Sequence, residues 1–199
     1  MSVPRIARPL ALAAVAVLAT ASGVLAATSG PTACQPGPKL TCSEVVNWSG
    51  RNLTGVNLSN SSFKDTSPAR SRFIGTNFTR ANLTRTSFGD ANLARAKFNE
   101  ASVARASFAD ANLADANFTR ANLTRANLTG VNLVRARLAH ANLTGANLRG
   151  ANLDGVLLRG ADLTGANFQG ATNFPRRGIS GVTWSNTICP DGGITTIGC

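Results

Sequence analysis

Ala111-Asn112-Leu113-Ala114-Asp115, Ala116-Asn117-Phe118-Thr119-Arg120 and Ala121-Asn122-Leu123-Thr124-Arg125 are three consecutive fives with one pattern. A small residue comes first, a polar residue second, a large apolar residue third, and two solvent-compatible residues close the unit. From this stretch the pattern extends in both directions without an insertion. It fills residues 51 to 170 as 24 units centred on Leu53, Leu58, Phe63 and so on to Phe168. The centres are Leu or Phe except at Val103 and Pro68, and they hold eight of the nine Phe in the chain. A period of five matches neither an α-helix at 3.6 nor a strand at 2. It suits a chain that turns a corner after every unit, with the first and third residues facing inward. Four units then close a square coil of about 20 residues, and coils stack at the inter-strand spacing of about 4.8 Å. One unit cannot bury its own apolar face, whereas a stack of coils can.

Stacking at this period makes an explicit core. Leu53, Phe73, Leu93, Leu113, Leu133 and Leu153 share the first side. Leu58, Phe78, Phe98, Phe118, Leu138 and Leu158 share the second, where Phe78, Phe98 and Phe118 are expected to form a ring column. Phe63 to Leu163 make the third side and Pro68 to Phe168 the fourth. Departures gather at the start, where Arg51 takes a small inward slot and Pro68 a centre.

The A-N-L-x-x unit, as in Ala121-Asn122-Leu123-Thr124-Arg125, resembles the pentapeptide repeat family. That resemblance implies an all-β fold, a right-handed quadrilateral β-helix of about six coils, roughly 30 Å long at the inter-strand spacing. Some members of the family mimic the shape and charge of DNA and bind gyrase. That activity calls for an acidic surface in the cytoplasm; it stands as the alternative function for this chain, disfavoured by the net positive charge and the signal-like N-terminus.

The flanks differ from the repeat. Arg5 and Arg8 precede an uncharged Ala-, Leu- and Val-rich run from Leu10 to Ala27 that ends in small residues. This reads as a secretory signal peptide over residues 1–27, with Val24-Leu25-Ala26 and Leu25-Ala26-Ala27 as cleavage candidates. The alternative is an uncleaved anchor. Residues 28–50 read as an N-terminal cap or linker and residues 171–199 as a C-terminal cap. The four cysteines form two local pairs, Cys34 with Cys42 and Cys189 with Cys199, an arrangement expected of disulfides in an exported chain. Their spacing does not suit a four-cysteine zinc site. Trp48 and Trp184 lie beside the two ends of the repeat and read as lids, with an exposed sugar- or partner-binding aromatic as the alternative. The tail resembles those of secreted bacterial members of the family. The expected location is extracellular or in the cell envelope.

Charge bounds the function. The chain has 20 Lys and Arg against 9 Asp and Glu, net +11, with a single His and no Tyr. Removing the signal segment deletes Arg5 and Arg8 and no acid, leaving +9. The last position of each unit holds most of the charge. Arg95, Asp115 and Arg135 fall in one vertical row, and Arg80, Glu100 and Arg120 in another, so both alternate in sign. Arg85, Arg105 and Arg125 stack with no acid between them, a candidate stripe for an anionic polymer such as wall teichoic acid, extracellular DNA or a lipid headgroup surface. Thr124, Thr144 and Thr164 align on one side like the flat arrays of ice-binding solenoids, although Ala104 breaks the column. Asn-Leu-Thr triplets match glycosylation acceptors but follow from the repeat. His140, Asp154 and Asp162 occupy outward slots with no oriented partner, and no nucleophile–base set or phosphate loop is present. The sequence therefore predicts a non-catalytic scaffold with no cofactor and no metal. Its partner is a protein or an anionic surface polymer, and sequence-specific nucleic-acid binding is not expected.

Overall fold

The unit Ala116–Arg120 shows why the chain coils. In the computed structural model each of its five N–H groups has an acceptor. Ala116 N donates to Leu113 O across the preceding corner (3.0 Å), and Asn117 N donates to Ala96 O in the coil before (2.9 Å). Phe118 N and Arg120 N donate to Arg137 O and Ala139 O in the coil after (2.7 and 3.0 Å). Thr119 N, which faces away from both neighbours, donates to the Asn117 side chain (3.0 Å). Backbone donors buried without partners are costly. The residue before the centre is so often Asn because its side-chain oxygen caps the one N–H that no coil can reach.

The corner has its own requirement. The centre carbonyl accepts from the first residue of the next unit, as Phe118 O does from Ala121 N at 2.9 Å. The last residue of the unit then lies at positive φ, +59° at Arg120 and +57° at Glu100. A four-residue turn with positive φ at its third residue has the pattern of a type II turn. Arg, Asp, Asn, Glu and His hold this position through much of the stack, and Gly holds it at every unit end from Gly145 to Gly170. A non-glycine residue there costs about 1–2 kcal/mol, which the packed coil must offset.

Parallel bridges join residues 20 apart, from Asn52↔Arg72 to Asn152↔Thr172, and build a four-sided β-helix. The interior is closed: the centres and first-position residues from Ala81 to Phe168 are buried, Phe98 at 0% exposure. Phe78 and Phe98 stack at 5.1 Å between centroids, and Phe98 and Phe118 at 4.4 Å. Phe88 and Phe108 stack at 5.2 Å on the opposite side and meet the first column edge to face. From Ser61 to Thr76 the small inward slots are Ser or Thr, as is Thr86, and hydroxyls there find carbonyls: Thr76 bonds Leu53 O and Thr86 bonds Phe63 O. Arg51 does not enter the interior; it is exposed at the start of the first coil, and its N–H reaches Ser71 Oγ. Pro68 is buried at its centre but has no N–H to donate, and no Ser67↔Ser87 bridge forms there.

The helix runs past Gly170. Bridges Asp162↔Thr183 and Asn167↔Ile188 span 21 residues, so one residue is inserted between Thr172 and Gly178 and a further coil follows. Phe174, Ile179 and Trp184 pack on the core, and Cys189 takes the next place in that series of five. Trp184 is thus built into the last coil, and Phe174 meets both it and Phe168. Strands β5 (Thr187–Ile188) and β6 (Ile194–Thr195) then form a hairpin, and a disulfide joins Cys189 to Cys199 with Cα atoms 5.4 Å apart.

The structure describes residues 49–199, together with the backbone of β1 (Val17–Ala19), β2 (Leu25–Ala27), β3 (Cys34–Gln35) and β4 (Thr41–Cys42). The β3–β4 register sets Cys34 opposite Cys42. The bond expected between their side chains, the lid expected of Trp48 and most of the 1–27 signal segment lie outside the described residues.

Candidate functional site

The outer surface is set by the corner and by the two slots flanking each centre. Arg85 donates to both carboxylate oxygens of Asp65 from the coil below, at 2.7 Å to Oδ2. The stripe of Arg85, Arg105 and Arg125 therefore begins with a neutralised member. Among the described residues Arg105 and Arg125 form no ion pair.

The alternating rows each resolve to a single close pair. Arg80 binds Glu100 and Arg135 binds Asp115, both at 2.8 Å, while Arg95 and Arg120 remain unpaired among the described residues. Arg70 and Asp90 make a looser pair at 3.7 Å. Such exposed pairs are screened by solvent and add little to stability.

Hydrogen bonds from Arg85, Arg80 and Arg135 hold the carboxyls of Asp65, Glu100 and Asp115 below their usual range. Burial raises Asp162, but bonds from the Thr164 side chain and backbone and from Thr144 outweigh it, so it too is lowered. The unfolded chain consequently holds these protons more readily than the folded one. The stability they add is present above the unfolded carboxylate values of about 4 and is lost as pH falls through the lower folded values. The melting midpoint is expected to stay flat from neutrality down to about pH 5 and to fall only below about pH 4. A midpoint that stays unchanged as pH falls from about 4 to about 2 would contradict these pairings.

The Thr column offers no free hydroxyl array. Thr124 Oγ1 bonds Asn122 Oδ1 and Thr164 Oγ1 bonds Asp162 Oδ1, both at 2.6 Å. The same geometry absorbs the Asn-Leu-Thr triplets into side-chain turns. His140 is exposed at a corner beside Arg159, Gly160, Ser180 and Gly181, with no carboxylate against it among the described residues. Asp154 and Asp162 lie on different sides of the coil. Among the described residues no group of three or more His, Cys, Asp or Glu is placed to hold a metal ion.

The second side differs from the other three. Its outward slots hold Lys97, Arg137 and Arg159 and no acid, while each other side has at most one cation there. Near its upper end a hollow of about 320 Å³ opens between Arg137, Leu157, Arg159, Gly178 and Ser180, floored by Thr119 and Ala139. Leu157 stands where the repeat places Asn and is 44% exposed. Gly178 lies over it at φ +74°, and a Cβ there would sit 3.1 Å from Leu157 Cδ2. The signal for this site in the sequence was a polar slot held by Leu, beside cations in two neighbouring coils. The row of corner charges drew attention to Arg85, Arg105 and Arg125 instead.

The family model for pentapeptide repeats matches residues 52–90, 86–125, 116–160 and 141–172. No curated protein matches the chain significantly. Among solved structures the chain is similar to HetL, a pentapeptide repeat protein involved in heterocyst differentiation regulation from the cyanobacterium Nostoc sp. PCC 7120. The identity is 24% over 73% of this chain and 88% of that one, with a TM-score of 0.40. It is 34% identical to alr5209 of Nostoc PCC 7120 over 54% of this chain and 84% of that one, with a TM-score of 0.42. It is 19% identical to QnrB1, a plasmid-mediated fluoroquinolone resistance protein, over 72% and 87%, with a TM-score of 0.32. No activity is carried over from these likenesses. The family match spans most of the chain and coincides with the four-sided ladder: the chain belongs to the pentapeptide repeat family and forms its right-handed quadrilateral β-helix.

Proposed function

We propose that this protein is an exported, non-catalytic scaffold that holds anionic polymers at the cell surface through its basic exterior. Charge carries the reading. The chain has 20 cationic residues against 9 acids, and four of those acids are already engaged by Arg in ion pairs. The uncompensated positive surface sits on a ladder whose interior is filled, and among the described residues its outward groups converge on no reacting centre. The signal-like residues 1–27 and the Cys189–Cys199 bond support a location outside the cytoplasm.

The test has two parts. Intact mass of the protein from fractionated host cells should show an extracellular or envelope chain beginning near Ala27 or Thr28, with its cysteines oxidised. The purified protein should be retained on immobilised teichoic acid and released by salt, since polyanion binding weakens as counterions compete. Full-length, reduced protein in the cytoplasm, or inhibition of gyrase supercoiling by the purified chain, would overturn this reading in favour of the DNA-mimic activity.

A further inference from the structure

The hollow on the second side brings together two uncapped backbone donors, two guanidinium groups and an apolar wall. In most units the Asn before the centre caps the N–H two residues on, as Asn117 does for Thr119. In the units centred on Leu138 and Leu158 that Asn is replaced by Arg137 and Leu157, and the cap is lost. Ala139 N–H and Arg159 N–H have no acceptor among the described residues, and both residues line the hollow. They occupy equivalent slots in successive coils, so the two donors lie about 4.8 Å apart along the axis. The Arg137 and Arg159 side chains add two guanidinium groups, which suit multidentate binding of anionic oxygens. Backbone donors turned outward beside cations form an anion-binding concavity.

We propose that this hollow seats one phosphate group of an extended polyphosphoryl chain that runs along the second side of the helix. The inference rests on the anionic-polymer reading above and gives it an address. A phosphate presents several oxygens to donors stacked one above another, whereas a carboxylate presents two in one plane. An extended chain fits better than a single headgroup because cations continue along the axis. Lys97 lies two coils below Arg137, and Arg176 and Arg177 are exposed in the last coil above. No outward slot of this side holds an acid, and the carboxylates at its corners, Glu100 and Asp115, are bonded to Arg80 and Arg135. Leu157 supplies the dry wall of the hollow and, unlike Asn, leaves the Arg159 donor free.

The experiment measures binding of the full chain to long-chain inorganic polyphosphate at two salt concentrations, with phosphatidylglycerol vesicles as a second probe. The double variant Arg137→Ala/Arg159→Ala should weaken polyphosphate binding about tenfold or more, as expected when charge-assisted bonds are lost. Arg105→Ala/Arg125→Ala removes the same charge from the corners of the third side and should weaken it by less than about threefold. Leu157→Asn changes no charge but restores the cap on Arg159 N–H, and should weaken binding about fivefold for one lost bond. Equal losses in the two double variants, together with no effect of Leu157→Asn, would overturn the assigned hollow while leaving polymer binding by the general charge intact. Tighter binding to the vesicles than to polyphosphate would assign the side to a membrane and overturn the proposal. Failure of the unmodified chain to bind any polyanion would sink both this inference and the reading it rests on.

Discussion

Replacing Phe98 with Ala should lower the free energy of unfolding by about 3–5 kcal/mol, the range for removing a buried ring. Phe98 is fully buried and sits mid-column between Phe78 and Phe118, with Phe88 and Phe108 edge-on from across the interior. The cavity left by the ring has little means of collapsing. The coil spacing is fixed by ladder bonds on all four sides, and neighbouring coils cannot approach below about 4.8 Å. Phe98→Leu should cost much less, about 1.5 kcal/mol or under as a swap between apolar residues, because Leu138 and Leu158 fill the same column higher up. Chemical denaturation of the three proteins checks both numbers. A loss below about 1 kcal/mol for the Ala variant would mean that position 98 is not inside the helix.

The repeat was legible because each of its positions is under a separate physical demand. Burial selects the centre and the first residue, and these demands leave a period that needs no structure to be seen. Other demands act through the backbone and leave weaker traces. The reason for Asn117 is a hydrogen bond to Thr119 N, and nothing in the composition of the unit names that acceptor. The positive φ at the corner is disguised where Arg or Asp holds it and plain only where Gly does. In the sequence the tail reads as a cap because one inserted residue breaks the register after Thr172. Yet Phe174, Ile179, Trp184 and Cys189 keep a spacing of five, with Val182 and Thr187 in the small inward slots before the last two. Projection of the corner rows found the stacked Arg residues but missed that Asp65 reaches Arg85 from an irregular first coil. A slot where the repeat residue is merely absent, as at Leu157, shows in the sequence as a small departure and gains meaning only when its neighbours across the coils are known.

Removing the C-terminal disulfide should produce the second large effect, and a local one. Closing a loop of about ten residues is worth roughly 2–3 kcal/mol in the chain-entropy description. Here the bond also holds the tail over the end of the helix. It fixes Cys199 to Cys189, and Gly198 lies against the Trp184 ring, where an added Cβ would be 3.6 Å from Cε2. Cys189→Ala/Cys199→Ala isolates this bond, whereas a reductant would act on every cysteine in the chain. In a stack whose coils touch only their neighbours, losing a cap frees the terminal coil first. Hydrogen exchange should therefore accelerate at Thr183 and Ile188 N–H, which bond Ala161 and Ala166 O, while Phe98 and Phe118 N–H keep their protection. Trp184 emission should shift to the red as the ring gains water, read in a Trp48→Phe background to remove the other indole. Uniform loss of protection along the whole ladder would mean that the coils unfold as one unit and that the last coil is no separate element. Unchanged exchange at Ile188 would mean that the hairpin holds the end closed without its covalent tie. The distinction matters for the scaffold, because the second-side hollow draws Gly178 and Ser180 from the same last coil. If that coil depends on the bond, a reducing compartment would dismantle the hollow's upper wall while leaving the rest of the helix standing.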